Sequence, residues 1–334
     1  MWGFLPLVGK ILPPNFRQIS TIQLGNLIKK NYIRAPHTHR SSFSVYCPLN
    51  EIIIFFSHKK KIIIIQNMTI IYPSPIFGPV ISRRLGVSLG INLQPDDGKV
   101  CSFDCIYCEC GLNADFRPKH RRPAKEVVAA ELEKKLQAMA AEENLPDVLT
   151  FAGNGEPTGH PDFLDIIRET IRLRDTYCPK AKVTVLSNAT MCGKENVREA
   201  LMMVDNNILK LDTVSDEYIR IVNRPANMAY DVKKVVEWMK AYNGHCIVQT
   251  MFMKGTATIW DADGNISYID VDNLAEEYVK PWLDAVAEIK PSQVMIYTID
   301  RETPVAGLMK ASHEELDAIK ARVEDMGIRC SASY

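Results

Sequence analysis

Hydrophobic positions in residues 86–326 alternate between the two periods of regular secondary structure. Short apolar runs bounded by turn residues, as at Val148–Ala152, are typical of strands. Apolar residues spaced four apart, as at Val128, Leu132 and Leu136, are typical of one helix face. The pattern predicts strands at 86–93, 148–152, 183–186, 208–211, 247–252 and 294–298, and helices at 122–139, 163–173, 195–203, 216–222, 232–239, 274–289 and 313–326.

The predicted strands and helices alternate along the chain. Such alternation favours parallel strands joined by right-handed helical crossovers. Six strand–helix units fall short of the eight in a closed barrel. We therefore predict an α/β fold with an open, partial (β/α)6 barrel rather than a flat doubly wound sheet. Alternating residues on both sides of a turn at 261–264 also predict a β-hairpin insertion between Gly255 and Asp270.

Residues 1–68 differ in composition from the rest of the chain. They hold nine of the 40 Lys and Arg residues and one of the 40 acidic residues, so residues 69–334 carry a balance of about −8. No helical or strand pattern in this segment is long enough to assign. We interpret 1–68 as a basic, poorly structured extension, or as a stretch outside the fold, that precedes a domain at 69–334. The alternative is an arm that binds nucleic acid or anionic lipid.

The composition limits the class of protein. A chain of 334 residues with 46% apolar composition can bury a large core. Four of the nine cysteines lie within residues 101–110, and the first residues lack the basic region of a secretory signal. No apolar run reaches the roughly 20 residues that span a bilayer. We therefore predict a protein of a reducing, cytoplasmic compartment with no membrane partner.

Three cysteines follow the first predicted strand at spacings of four and three: Cys101, Cys105 and Cys108. Thiolates are soft donors that suit iron–sulfur clusters and zinc, and closely spaced cysteines let one short loop surround a metal centre. Structural zinc sites usually use two Cys-x2-Cys units well apart, a pattern that this loop lacks. The spacing therefore favours an iron–sulfur site.

Polar residues collect at the carboxyl ends of the predicted strands, where barrels of this kind carry their functional groups. After the second strand comes a Gly-Asn-Gly-Glu-Pro turn at 153–157, whose glycines leave backbone groups open to close ligand approach. The ends of the other strands supply Ser187, Asn188, Lys210, Asp212, Gln249, Thr250, Tyr297, Asp300 and Arg301. Strand ends become polar as they leave any core, so the cysteine loop and the Gly-rich turn are the stronger indications.

The Cys-x3-Cys-x2-Cys loop, with Tyr107 before its last cysteine, and a Gly-Asn-Gly-Glu-Pro turn about 45 residues later resemble the radical S-adenosylmethionine (radical SAM) superfamily. The sequences at 77–86 and 249–252 are most similar to its wyosine-synthase-related branch of iron–sulfur oxidoreductases. The resemblance covers roughly residues 76–301. It leaves residues 1–68 without a counterpart.

The resemblance implies that Cys101, Cys105 and Cys108 bind three irons of a [4Fe–4S] cluster and that S-adenosylmethionine chelates the fourth. A reductant such as flavodoxin or ferredoxin would then supply the electron that yields a 5′-deoxyadenosyl radical, which takes hydrogen from a substrate. It assigns no catalytic side chain. A fourth protein ligand would block S-adenosylmethionine, so we interpret Cys110 as a bystander. The implied contacts to S-adenosylmethionine are Gly153, Asn154, Gly155, Glu156, Pro157, Ser187, Asn188, Lys210, Asp212 and Tyr297.

The predicted function is hydrogen abstraction from an unidentified substrate, with a tRNA base as one candidate. The acidic balance of residues 69–334 weakens the tRNA hypothesis. The alternatives are an activase that places a radical on a glycine of a partner protein, and a non-enzymatic Cys-rich protein that holds zinc or carries electrons. Basic residues at 83–84 and 120–122 could hold phosphate, although exposed basic pairs are usually only solvated.

Overall fold

A computed structural model describes residues 70–82, 86–260 and 266–334, and the backbone of three strands before residue 70. The chain divides into two compact units, Met1–Met68 and Thr69–Tyr334. In the first unit, β1 (Phe43–Cys47), β2 (Ile52–Phe56) and β3 (Ile62–Gln66) form an antiparallel sheet in that order. The prediction of a poorly structured extension falls mostly on residues outside the described part of the chain.

The second unit contains eleven strands among its described residues. They are β4 (Ile76–Ser82), β5 (Gly86–Ile91), β6 (Val148–Phe151), β7 (Lys182–Ser187), β8 (Asn206–Lys210), β9 (Ile247–Met251), β10 (Met253–Trp260), β11 (Ile266–Asp270), β12 (Gln293–Tyr297), β13 (Leu308–Lys310) and β14 (Cys330–Ser333). Eight of them form one sheet in the order β14-β12-β9-β8-β7-β6-β5-β4. Only β4 runs antiparallel to its neighbour, so the six predicted strands are parallel and adjacent, as an open (β/α)6 barrel requires.

Seven helices connect these strands. They are α1 (Lys125–Ala141), α2 (Phe163–Tyr177), α3 (Glu195–Met203), α4 (Asp216–Val222), α5 (Val232–Lys240), α6 (Glu276–Ile289) and α7 (His313–Asp325). Each predicted helix is confirmed, with ends that shift by a few residues. Among the described residues, no helix combines the length and the apolar composition needed to cross a bilayer.

The larger core lies between the sheet and the helices. Leu132 of α1, Phe163 of α2 and Trp282 of α6 are almost completely buried against strand residues such as Phe151. Burial of side chains of this size contributes roughly 1.5–3 kcal/mol each. The helices therefore hold the strands in register, and the carboxyl ends of the parallel strands lie along one edge.

The predicted hairpin insertion is present. Strands β10 and β11 pair antiparallel, and β13 joins the other edge of β10 to form a second sheet. The turn of the hairpin, at 261–265, lies outside the described residues. Met253, Ala257 and Val271 from this insertion form a smaller core with Phe103 and Ile106 of the cysteine loop. The insertion therefore supports the loop that follows β5.

Two strands of the main sheet were not predicted from the pattern. Strand β4 contains Gly78 and Pro79, and its register with β5 shifts between Phe77 and Val80, so the alternation of its side chains is interrupted. Strand β14 is only four residues long, Cys-Ser-Ala-Ser, and has no apolar run. Tertiary pairing determines these two edge strands, because their local sequence preference is weak.

Candidate functional site

A cavity of about 300 Å³ lies at the carboxyl ends of the parallel strands. Cys101, Cys105 and Cys108 line it, together with seven other predicted site residues: Gly153, Gly155, Glu156, Ser187, Asn188, Lys210 and Tyr297. Gln249 of β9 and Asp300 and Arg301 after β12 also line it. Asn154, Pro157 and Asp212 are not in the wall of the cavity. The structure thus gathers most of the predicted site from six separate strands.

The cysteine loop and the Gly-rich turn are joined directly by backbone hydrogen bonds. The Val100 N–H donates to the Asn154 carbonyl at 2.9 Å, and the Glu156 N–H donates to the Val100 carbonyl at 3.2 Å. Gly155 has a φ of +135°, and a Cβ there would lie 1.9 Å from the Val100 carbonyl oxygen. Glycine is therefore required at 155 because the cysteine loop approaches its backbone closely. The prediction from sequence explained this glycine by the approach of a ligand, whereas the structure adds a reason within the protein itself.

A second segment, residues 222–226 after α4, holds the cysteine loop from the other side. Its carbonyls accept from the Ile106 N–H at Val222 (2.9 Å) and from the Asp104 N–H at Asn223 (2.8 Å). Arg224 takes a positive φ of 47°, which is uncommon for a residue with a side chain. Sequence reasoning did not assign this segment to the site. The only feature in the sequence that could have indicated this segment is Asn-Arg-Pro at the end of a predicted helix.

Each of the three candidate ligand thiols has at least one hydrogen-bond donor from a neighbouring side chain, and Cys108 has two, Cys110 and Lys99. The Asn188 amide donates to Cys101 Sγ at 3.5 Å, and the buried Asn223 amide donates to Cys105 Sγ at 3.4 Å. The third is a thiol–thiol contact, in which Cys110 hydrogen bonds to Cys108. Asn223 is a further site residue that sequence reasoning missed.

Burial controls the protonation of these thiols. Burial raises the pKa of Cys105 to about 11 and raises the pKa of Cys101 as well. The hydrogen bond from Cys110 lowers the pKa of Cys108. Two of the three thiols are therefore neutral near pH 7 unless a cation is bound, so metal binding here would release protons.

Lys99 places a buried cation beside the loop, and sequence reasoning also missed it. Its side chain is 1% exposed, and its Nζ donates to the Gly111 carbonyl at 2.6 Å and to Asp104 at 3.2 Å. Burial alone would lower the pKa of Lys99, but the negative charge of Cys108, of the other two cysteines when they are ionised, and of Asp104 outweighs burial and raises it. Lys99 therefore stays charged and can balance negative charge on the cysteine loop.

Glu156 links the Gly-rich turn to the end of β7. Its carboxylate accepts four hydrogen bonds, from the Thr158 N–H (3.1 Å), the Thr158 hydroxyl (2.6 Å), the Ser187 hydroxyl (2.8 Å) and the Asn188 N–H (2.6 Å). Burial raises the pKa of Glu156, and these four donors oppose that rise. The carboxylate is thus fixed in orientation at the cavity wall. Its hydrogen bonds also hold the end of β6 next to the end of β7.

Asn154 and Pro157, both predicted contacts of S-adenosylmethionine, have their side chains within the protein. The Asn154 amide group accepts from the Tyr72 N–H at 2.8 Å and donates to the Tyr72 and Pro95 carbonyls at 2.8 Å each. Pro157 is buried as the first residue of a short 3₁₀ turn. The side chain of Asn154 therefore holds neighbouring segments together, and only its backbone adjoins the loop.

Lys210 lies at the centre of a buried polar group. Its Nζ donates to the Tyr297 hydroxyl at 2.9 Å and to the Tyr107 hydroxyl at 3.1 Å, and lies 3.5 Å from Asp212. Asp212 accepts from the Tyr107 hydroxyl, from the Asn223 amide and from the Met251 N–H. Burial would lower the pKa of Lys210, but the charge of Asp212 outweighs it and raises that pKa. Lys210 thus presents an ammonium to the cavity, and Asp212 supports it from behind.

The arrangement of the thiols suits an iron–sulfur cluster better than one zinc ion. Among the described residues, the only group of three or more His, Cys, Asp or Glu whose ligand atoms lie within 4.8 Å of one another is Asp96, Asp97 and His120, on the surface. A tetrahedral zinc with Zn–S bonds of about 2.3 Å requires sulfurs closer than that. The three thiols are spread around the cavity wall, and soft thiolates that surround a larger centre are the usual ligands of a cluster.

Cys110 does not line the cavity. Its one S–H is shared between Cys108 and the Gly153 carbonyl, which is 3.4 Å away, so Cys110 lies between the cysteine loop and the Gly-rich turn. This position supports the interpretation that Cys110 is not a ligand.

Comparison with known proteins gives one family model and several relatives. The model of the Radical SAM superfamily matches residues 97–258. A UPF0026 protein of Helicobacter pylori (strain J99) is 30% identical over 247 residues, which are 72% of this chain and 71% of that protein. A protein named GTPase Obg from Brachyspira hyodysenteriae is 28% identical over 273 residues, 80% of this chain but only 36% of its own length. This chain therefore spans about a third of that relative.

Solved structures agree on the fold. A radical SAM methyltransferase from Sphaerobacter thermophilus has a TM-score of 0.53 at 14% identity, over 97% of this chain and 82% of its own. SuiB of Streptococcus suis bound to S-adenosylmethionine has 0.51 at 15% identity, over 73% and 50%. TYW1 with a lysine–pyruvate adduct has 0.51 at 10% identity, over 94% and 90%. The chain belongs to the radical SAM superfamily, whose members use a [4Fe–4S] cluster and S-adenosylmethionine, and it is a relative of the UPF0026 proteins.

Proposed function

We propose that this protein is a radical SAM enzyme that binds a [4Fe–4S] cluster through Cys101, Cys105 and Cys108 and abstracts hydrogen from a substrate. The observation that carries the proposal is the cavity at the strand ends, which is lined both by three thiols of one loop and by Glu156, Ser187 and other polar groups. Sulfur donors and fixed polar groups in one cavity suit a cluster with a small polar cofactor beside it.

The polar residues that line the cavity would bind S-adenosylmethionine. Backbone groups of Gly153 and Gly155 lie at the cavity surface, next to the thiols. Ser187 and Asn188 are held at their places by the carboxylate of Glu156. Lys210 and Tyr297 also line the cavity and offer a cation and a hydroxyl, and the Lys210 ammonium suits the carboxylate of a zwitterionic cofactor.

Bound together, the cluster and S-adenosylmethionine supply a 5′-deoxyadenosyl radical for hydrogen abstraction. This chain positions and encloses the reacting groups. The hydrogen bonds between residues 100 and 154–156 hold the cysteine loop against the cofactor turn. Phe103, Met251 and Ile299 supply apolar wall that keeps water away from a reactive intermediate.

Anaerobic reconstitution with iron and sulfide tests the proposal. We expect a brown protein that, with dithionite and S-adenosylmethionine, forms 5′-deoxyadenosine, measured by chromatography. Cys105→Ala should abolish this product because it removes a ligand. Cys110→Ala is the matched control from the same loop and should retain it. A colourless, zinc-loaded protein would contradict the proposal.

The substrate that the wyosine-synthase resemblance raises is a tRNA base. A structural neighbour is TYW1, although the likeness is one of fold alone. Comparing tRNA modifications and small molecules between deletion and parent cells tests this substrate. A tRNA nucleoside that changes in the deletion strain supports a tRNA base as the substrate. Unchanged tRNA would mean that the substrate is a small molecule or a partner protein.

GTP hydrolysis is not part of the proposal. The relative named GTPase Obg is much longer than the matched segment, and the Gly-x4-Gly-Lys-Ser/Thr phosphate-binding sequence does not occur anywhere in this chain. The similarity to this relative therefore supports a shared fold. It does not support a nucleotide-binding site in this chain.

A further inference from the structure

A run of basic side chains follows the cysteine loop on the protein surface. Residues 117–122 contain four Lys or Arg residues and no acid, in a unit whose overall balance is about −8. We define the basic surface as Arg117, Lys119 and Arg121, which are all exposed. The basic surface thus has the opposite sign of charge to the overall balance of residues 69–334.

The three cations of the basic surface are available to a partner. In the part of the chain that the structure describes, none of them is in an ion pair. Their basic neighbours are used within the protein: Arg122 donates to Gln94 at 2.8 Å and to the Gly159 carbonyl at 2.9 Å, and Lys125 pairs with Asp165 at 2.7 Å. The basic surface is therefore distinct from the cations that stabilise the fold.

The basic surface is held against the segment that leads into the cysteine loop. The Lys99 N–H donates to the Phe116 carbonyl at 2.8 Å, and the Lys119 N–H donates to the Asp97 carboxylate at 2.8 Å. A Cβ on Gly98 would lie 2.4 Å from the Phe116 carbonyl oxygen, so the two segments touch. The path from Arg117 to Cys101 consists of the peptide unit to Phe116, the hydrogen bond to Lys99 and two further peptide units.

The basic surface lies outside the cavity. No residue from 112 to 125 lines the cavity, whereas Glu109 and Arg301 do. A substrate that loses a hydrogen atom must reach the cavity, but an electron can reach a cluster through the protein from behind the loop. The position therefore suits a reductant better than a substrate.

We infer that Arg117, Lys119 and Arg121 form the docking surface for an acidic protein that donates one electron to the cluster. The inference rests on the proposed function, because it needs a cluster at Cys101, Cys105 and Cys108. Positive charge at this place steers an acidic partner to the segment that leads into the cysteine loop. Electron-transfer encounters bury little surface, so three cations form a large part of such an interface.

The test is a charge reversal, Arg117→Glu/Lys119→Glu/Arg121→Glu, in the full-length reconstituted protein. The probe is the hydroquinone of an acidic flavodoxin, and the rate of cluster reduction is followed anaerobically by stopped-flow absorbance. We expect at least a tenfold fall in rate at low salt, together with loss of the salt dependence seen for the wild type. Reduction by dithionite at high salt, where surface charge is screened, should be unchanged.

A matched control carries the same change in net charge elsewhere. Lys182, Lys233 and Lys234 are exposed, and Lys182→Glu/Lys233→Glu/Lys234→Glu should leave the flavodoxin rate within about twofold of wild type because these residues are remote from the loop in sequence and bind none of its groups.

Three results would overturn the docking surface: an unchanged flavodoxin rate in the reversal variant, an equal fall in the control, or a matching fall with dithionite. Loss of total-tRNA binding in a filter assay, with the flavodoxin rate intact, would assign the surface to RNA and overturn it as well. A wild-type protein that assembles no cluster contradicts the proposed function and this inference together. A reducible cluster with unaltered flavodoxin kinetics contradicts the inference alone.

Discussion

At the scale of single residues, asparagine amides organise the surroundings of the thiols. Asn223 has two amide hydrogens and three acceptors: Asp212 at 2.8 Å, the Tyr107 hydroxyl at 3.1 Å and Cys105 Sγ at 3.4 Å. One hydrogen is directed to the carboxylate, and the other is shared by the hydroxyl and the sulfur. Asn223 thereby connects the sulfur of a candidate ligand to the buried group around Lys210.

Asn223→Leu should lower the reduction potential of the cluster. A hydrogen bond to a ligand sulfur stabilises the reduced, more negative cluster, so its removal disfavours reduction. We expect about a tenfold smaller equilibrium constant for reduction, which is a shift of about −59 mV for one electron. A potentiometric titration monitored by EPR measures it.

The matched control for this prediction is Asn207→Leu. Asn207 is also buried, but its amide donates only to the His245 carbonyl, near the amino end of β8. Its replacement should cost stability without moving the potential. Equal potentials in wild type and Asn223→Leu would show that the amide does not act on the sulfur.

At the scale of elements, the segment before β4 is part of the site. The Ile70 N–H donates to the Glu109 carbonyl at 2.9 Å, and the backbone of Tyr72 exchanges hydrogen bonds with the Asn154 side chain at 2.8 Å. The Asn92 amide donates to the Tyr72 carbonyl at 3.2 Å as well. Residues 70–73 therefore fasten the Gly-rich turn and the cysteine loop together.

Two truncations separate this segment from residues 1–68. A chain that begins at Met68 keeps the segment and should assemble its cluster as the full chain does. A chain that begins at Ser74 leaves the buried Asn154 amide without its Tyr72 partners, which costs about 1–3 kcal/mol for each unsatisfied group. Urea unfolding and iron per chain measure both effects. Loss of solubility or iron in the Met68 chain would mean that residues 1–67 are needed by the fold.

The helices and strands of the second unit could be predicted from the sequence more completely than the site could. The six parallel strands and seven helices follow from apolar spacing, because the sheet and the helices each bury one regular set of positions. In the main sheet the pattern missed β4, whose register with β5 is interrupted, and β14, which pairs with the distant β12. It also missed Lys99 and Asn223, because a single polar residue becomes informative only when its burial and its neighbours are known.

At the scale of the whole second unit, an open barrel must keep its first and last loops together. The loop after β5 and the loop after β12 are separated by four strands in the sheet order. Arg301 nevertheless binds Glu109 at 2.8 Å and hydrogen bonds to the Tyr72 hydroxyl. The Val305 N–H donates to the Ile106 carbonyl at 3.3 Å. These contacts close the seam of the partial barrel at the mouth of the cavity.

Arg301→Ala should loosen this seam without unfolding the protein. Both partners are more than 40% exposed, so the ion pair contributes at most about 1 kcal/mol to the free energy of unfolding. Hydrogen exchange at the Val305 and Ile106–Cys108 amides should become several-fold faster, as mass spectrometry can measure.

Arg322→Ala serves as its control, since Arg322 forms a similar pair with Glu276 at 2.8 Å between helices α7 and α6. It should have an equally small effect on global unfolding and none on exchange in the cysteine loop. If exchange is unchanged in Arg301→Ala, the backbone hydrogen bond between Val305 and Ile106 is sufficient to hold the two loops together.

The sequence by itself determined the class of fold, the three candidate ligands and the polar character of the strand ends, because spacing along the chain reports local periodicity and local ligand geometry. Tertiary structure alone decided which of those polar residues face the cavity. Asn154 is turned toward Tyr72, whereas Lys210 is directed to the cavity with Asp212 behind it. The physical reason is that each orientation is set by hydrogen-bond partners many residues away, which no local pattern records.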